Sequence, residues 1–260
     1  MSNEPLTSPA IDLIRRHRSI RDFESRPVAP EIIEAIISAA QCSSTSLNLQ
    51  AWSVVAVTDP DRRSTLAGLC GNQKQVSDAP VFLIWCADLS RLDRVCHLRG
   101  YSQVTDYMDN LLSTAMDATI AAQTAALAAE SLGLGICFVG CIRNNPQQVI
   151  DLLGLPKLVF PVTGMTLGWP AIEPAAKPRL PLNTVLHWEA YDREPDDQAL
   201  AEYDVTMRET GIYEGRQVPA PGRTEPTDDY GWLEHCARRI SQPARTDLTD
   251  ALRAQGFGLK

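Results

Sequence analysis

The stretch from Val104 to Gly135, VTDYMDNLLSTAMDATIAAQTAALAAESLGLG, constrains this chain most. Met108, Leu111, Leu112, Ala115, Thr119, Ala122 and Ala126 fall at steps of three or four, the period of one helix face. The many alanines let a second helix approach closely. Gly133 and Gly135 end the pattern. One long helix is expected here, with other elements packed tightly against it.

Both strands and helices surround that helix. APEIIEAIISAAQCSS predicts an amphipathic helix: Pro30 suits its first turn, Glu31 and Glu34 complement its N-terminal end, and Ile32, Ile33, Ile36 and Ile37 recur at helix period. Helical spacing also opens the chain in PAIDLIRRHRSI and returns in PDRRSTLAGLCG and PQQVIDLLGL. AWSVVAVTD, APVFLIWCAD, ICFVGCI and VFPVTGMTLGWP read as strands. The expected class is α+β, with a central mixed sheet sandwiched by helices. After Trp169 the chain turns proline-rich and poor in apolar residues, with weak helices in DDQALAEYDVTMRETG, WLEHCARRISQ and RTDLTDALRAQGF. Residues 1–170 are therefore read as the core. Residues 171–260 are read as an arm of the same domain, including a long loop over 205–230.

Charge narrows the function. Lys and Arg number 24 against 32 Asp and Glu, for a net charge of −8, which argues against a general nucleic-acid or membrane-surface binder. No apolar run reaches the roughly 20 residues of a membrane helix, and no signal-type h-region follows the first residues. Seven cysteines, none in a CxxC pair, are expected as reduced core thiols of a cytoplasmic protein. Cys137 and Cys141 have no His or Cys partners nearby, which weighs against a metal pair, and no metal site is expected. GxGxxG, P-loop, HExxH and GxSxG patterns are absent, and the four histidines are scattered.

Against this acidic background RRHRSIRDF concentrates four arginines and a histidine between Arg15 and Phe23. It can be a solvated helix end, with Arg15, Arg16 and Arg18 covering the last carbonyls, a nucleic-acid patch, or a grip on one compact anion. KPRLP forms a second basic element, in which Pro178 stiffens the chain between Lys177 and Arg179. The loop CSSTSLNLQ offers hydroxyls and amides, or is simply a polar turn. Gly140 closes a strand, where it permits a bulge or lets a flat ring lie against the backbone.

HRSIRDF, GNQKQVSDAP, AAESLGLGICFVGCIRNNPQQV, LGWP and KPRLP, in that order, resemble the oxygen-insensitive NADPH nitroreductases and NADPH–flavin oxidoreductases of the FMN-dependent nitroreductase fold. The resemblance runs from about Ile11 to Tyr203. It implies a homodimer with an FMN at each of two interfacial sites. It also implies ping-pong hydride transfer from NADPH to a small-molecule acceptor: a nitroaromatic, a quinone or free flavin. The cofactor carries the chemistry, so no catalytic side chain is implied.

By position, the resemblance assigns His17, Arg18, Ser19, Ile20 and Arg21 to the phosphate and ribityl side of FMN, joined by Lys177, Pro178 and Arg179. Thr45 and Gln73 would touch the cofactor from their loops. Phe138, Val139, Gly140 and Cys141 would lie beside the isoalloxazine, with Phe138 and Cys141 replacing the usual Tyr and Gly. Arg216 and Arg223 are the candidates for the 2′-phosphate of NADPH, while Gln242 stands where a further family arginine is expected. Two alternatives remain: a reductase supplying reduced flavin to a monooxygenase, and a flavin-binding redox regulator without turnover.

Overall fold

A computed structural model describes residues 6–192, 196–222 and 225–260. Helix α1 (Pro9–Arg15) starts at Ser8, whose hydroxyl accepts from the Ile11 amide, and stops at Arg15, the first residue of the basic cluster. Helix α2 (Pro30–Gln41) follows, with proline in its first turn as expected. Strand β1 (Trp52–Val57) leads through Asp59, which caps α3 (Pro60–Leu69), and a short α4 (Lys74–Asp78) to β2 (Val81–Asp88). Helix α5 (Ser90–Arg99) is not foreseen in the sequence reading, because its polar residues hide any apolar period. Helix α6 (Met108–Ser131) realises the long alanine-rich stretch. It is followed by β3 (Gly135–Val139), α7 (Pro146–Leu153) and β4 (Val159–Gly168), then α8 (Asp197–Glu209), α9 (Trp232–Ile240) and α10 (Leu248–Ala254).

The sheet order is β1-β2-β4-β3, and all three strand pairs are antiparallel. The mixed pairing expected from the sequence is confined to one isolated parallel bridge, Ser19 with Ile136. Helix α6 returns the chain to the opposite end of the sheet, so β3 runs in the direction of β2, and β4 is inserted between them antiparallel to both.

β2 is buried along its whole length, and its period of two feeds both faces. Val81, Leu83 and Trp85 join Ile36, Ala40 and the α6 alanines 118, 121, 122, 125, 126 and 129. Phe82, Ile84 and Cys86 join Leu66, Val76, Ile142 and Val149 on the other face. Helices thus cover both sides, which gives the expected sandwich.

Two compact units emerge: residues up to Ala175 with Arg245–Lys260, and Ala176–Ala244. The return of the last segment to the first unit is driven by burial. Ala251, Leu252 and Phe257 pack with Leu89, Ile150 and Phe160, where the Phe160 and Phe257 rings meet edge to face 6.4 Å apart. In the second unit, α8 and α9 pack around Tyr203, whose ring meets Trp232 edge-on at 5.2 Å.

Candidate functional site

The basic cluster is placed by a glycine. A Cβ on Gly135 would lie 2.4 Å from Ile20 Cγ1, so only glycine lets the segment after α1 lie against β3. The Ile20 amide then donates to the Ile136 carbonyl at 2.8 Å, fixing the segment in extended form. Extended backbone alternates its side chains. Ile20 is buried against Gly135, and Arg18 lines the same cavity of about 400 Å³, together with Leu13, Arg16, Glu130 and Glu173. His17, Ser19 and Arg21 are absent from that lining.

The cluster is therefore divided. Arg18 Nη1 donates to the carbonyls of Arg16 at 2.6 Å and His17 at 3.2 Å, just past the end of α1. His17 Nδ1 lies 2.5 Å from Glu130 Oε1, a pairing that reaches 113 residues along the chain. Arg21 is exposed, and its Nη1 makes a long bond of 3.4 Å to the Ser19 carbonyl.

A second grouping forms where β3 ends. Measured from the position a Cβ on Gly140 would take, Arg143 Nη2 lies 3.6 Å away and Arg245 Nη2 3.9 Å away. Arg245 Nε donates to Asn144 Oδ1 at 3.1 Å, and Arg245 itself adopts a positive φ of 53°. Burial, and then the neighbouring Arg245 guanidinium, push Arg143 below the usual arginine range. Two like charges beside bare backbone create a positive spot suited to an electron-rich carbonyl edge or an anion. The turn before Gln73 approaches this spot. Asn145 Nδ2 donates to the Leu69 carbonyl at 2.8 Å, and a Cβ on Gly71 would sit 3.6 Å from Asn144 Nδ2. Gln73 itself accepts from Gln75 through its side-chain oxygen.

Phe138 and Val139 face opposite sides of the sheet, Phe138 toward the α2–α6 core and Val139 toward the other. Cys141 is half-buried beside Cys70, whose thiol is pushed up to about 12, by burial first and by Cys141 second. The Cys70 thiol therefore stays protonated and unreactive at neutral pH. Among the described residues no cluster of three or more His, Cys, Asp or Glu could hold a metal ion. Nor is any helix long and apolar enough to cross a membrane.

Thr45 begins a single 3-10 turn, and its hydroxyl accepts weakly from the Gln50 amide at 3.4 Å. Leu47, Asn48 and Gln50 all have positive φ, a strained run that the Ser46 amide helps hold through a 2.8 Å bond to Asp117 Oδ1. In the second unit the Tyr203 hydroxyl donates to the Pro178 carbonyl at 3.1 Å, which fixes the segment carrying Lys177 and Arg179 against α8. The Arg216 amide closes a turn on the Tyr213 carbonyl at 3.0 Å. Arg223 lies outside the described residues. Gln242 donates to the Pro219 carbonyl at 2.6 Å and the Arg238 carbonyl at 2.9 Å, which makes it a tether of the preceding loop.

A model of the nitroreductase family matches residues 14–169, and a model of that family's C-terminal domain matches residues 177–260. The chain belongs to the nitroreductase family. An oxygen-insensitive NADPH nitroreductase of Salmonella typhimurium is 38% identical to it over 253 residues, 97% of this chain and 100% of the relative. An NADPH-flavin oxidoreductase of Vibrio harveyi is 41% identical over 248 residues, 95% of this chain and 97% of the relative. The solved structure of NfrA2 from B. megaterium superimposes with a TM-score of 0.89 at 36% identity, covering 98% of this chain and 100% of that one. That agreement confirms the α+β nitroreductase fold. Arg143, Asn144 and Arg245 are site candidates that the sequence reading missed. The signal available for the first two was their place directly after the Gly140 motif.

Proposed function

We propose that this nitroreductase-family chain is an FMN-dependent NADPH oxidoreductase, passing two electrons to nitroaromatic, quinone or free flavin acceptors. The observation that supports it best is the pair of anion-ready ends joined by β3. The segment carrying His17, Ser19 and Arg21 is anchored at Ile136, while Gly140, with Arg143 and Arg245 beside it, lies four residues on, about 13 Å away at strand rise. That span suits a flat ring system carrying a phosphorylated chain. His17, Ser19 and Arg21 would hold the phosphate by charge-assisted hydrogen bonds. The bare backbone at Gly140 would admit the ring, with Arg143 and Arg245 toward its carbonyl edge. When bound, FMN supplies the hydride chemistry, and the protein supplies position and charge. Thr45, Gln73, Lys177, Pro178, Arg179 and Arg223 keep roles that rest on the sequence resemblance alone.

A homodimer follows from the same reading. Met108, Leu112, Met116 and Ile120 are 40%, 53%, 56% and 44% exposed, an apolar stripe along the longest helix that a second copy would cover. The seven free thiols support a reducing compartment, the cytoplasm. The alternative, a flavin reductase supplying reduced flavin, also fits relatives such as the FMN reductase [NAD(P)H] of Bacillus subtilis, 37% identical over 244 residues.

The absorption spectrum of the purified protein and an anaerobic titration with NADPH test the reading. A flavin spectrum bleached by NADPH is expected, and Arg21→Ala should lower flavin occupancy while leaving the protein folded. A colourless protein that takes up no added FMN, or full occupancy in Arg21→Ala, contradicts it. Relative turnover of free FMN and a nitroarene then separates flavin reductase from nitroreductase, and flavin that NADPH cannot bleach would indicate a regulator.

A further inference from the structure

Glu130 stands near the end of α6 with its side chain only 10% exposed. Oε1 lies 2.5 Å from His17 Nδ1, and Oε2 is buried with no hydrogen-bond partner. A carboxylate so withdrawn from water needs a counter-charge in contact with it. Arg16 and Arg18 line the same cavity, as does the acidic Glu173. Arg18 nevertheless spends its Nη1 on the Arg16 and His17 carbonyls, and its Nε is itself buried without a partner. Among the described residues, His17 is the one ion-pair partner of Glu130.

That pairing decides what His17 can offer an anion. With the Nδ1 hydrogen directed at Glu130, a neutral ring presents only a lone pair at Nε2, which repels phosphate oxygens. A ring protonated on both nitrogens presents Nε2–H. We propose that Glu130 is a positioning residue, which orients His17 and retains its second proton so that Nε2 donates to the FMN phosphate. The imidazolium then lies between two anions, the buried carboxylate and the phosphate. Glu130 from α6, in contact with the ring, favours the proton, Arg16 and Arg18 from its own segment oppose it, and Glu173 from the segment after β4 shares the cavity that Glu130 lines. The inference rests on the FMN reading above and assigns Glu130 a role in it.

Fluorescence titration of the apoprotein with FMN and with riboflavin, across pH 5.5 to 8.5, tests it. Riboflavin lacks the phosphate and isolates the ring. The phosphate's own second ionisation, at about 6, is common to wild type and variants and cancels in their comparison. Wild type is expected to hold FMN through neutral pH and to weaken on the alkaline side. Glu130→Gln should bind FMN about tenfold more weakly at neutral pH. It should recover toward wild type in acid, where His17 gains the proton unaided, and should bind riboflavin as wild type does. FMN binding unchanged in Glu130→Gln, or an equal loss for FMN and riboflavin, overturns the proposal. If Glu130→Gln does not fold, His17→Gln carries the test: it should lose the alkaline weakening, and a retained wild-type profile overturns the proposal. Wild type binding FMN no better than riboflavin would instead bring down the phosphate reading itself, and the inference with it.

Discussion

Asp88, at the end of β2, joins three elements that its position in the sequence does not connect. It accepts from the Ser53 hydroxyl on β1, from the Ser90 amide at 2.9 Å and from the Ser90 hydroxyl at 2.6 Å. Arg91 reaches it from the first turn of α5, with Nη2 3.6 Å from Oδ2. Burial alone would raise its pKa. The Ser53 and Ser90 bonds and the Arg91 charge outweigh that and hold it below the usual carboxylate range. A carboxylate with a depressed folded-state pKa adds stability above its unfolded value of about 3.9, and that stability is lost as pH falls through the folded value. Asp88→Asn should cost about 1–3 kcal/mol at neutral pH. The gap to wild type should narrow below about pH 4, as followed by urea unfolding. Parallel pH profiles would show that Asp88 is not the group responsible. None of this was legible in APVFLIWCAD, where Asp88 reads only as the polar stop of an apolar run.

At the scale of elements, α6 was legible and α5 was not, for one reason. Apolar period predicts a helix when burial forms it, and α6 buries six alanines at 0–1% exposure while α5 buries none of its residues fully. Helix α5 is held instead by the Asp88 bonds at its start and by Gly100 at its end, where φ is 76°. The outward face of α6 carries a prediction of its own. Met116→Glu with Ile120→Glu should leave the fold intact but yield monomers in sedimentation equilibrium, because two charges would have to be buried in the shared face. If the doubly substituted protein still sediments as a dimer, another surface makes the interface.

At the scale of the whole molecule, the chain forms two units whose boundaries only partly follow its composition. The composition turns proline-rich after Trp169, whereas the second unit begins at Ala176, and the return of Arg245–Lys260 to the first comes from the packing of Leu252 and Phe257. Within the second unit Arg216 follows a turn that Tyr213 closes, and Tyr213 stacks on His235 with ring centroids 4.7 Å apart. If Arg216 grips the 2′-phosphate, Arg216→Ala should raise KM for NADPH about tenfold and leave KM for NADH unchanged, since one charge-assisted bond is lost. Equal effects on both dinucleotides in steady-state kinetics would remove that role.

By itself the amino-acid sequence determined the helices and strands that burial makes periodic, the α+β class, and the family carried by HRSIRDF, the Gly140 motif and KPRLP. Only the tertiary structure decided which side chains meet. It bent Arg18 back onto the Arg16 and His17 carbonyls, set Glu130 against His17 and brought Arg245 to Gly140. The reason is physical. Periodicity is a local property, read within a turn or two of chain. The meeting of groups 100 or more residues apart depends on strand register and on the path between them, which local pattern does not encode.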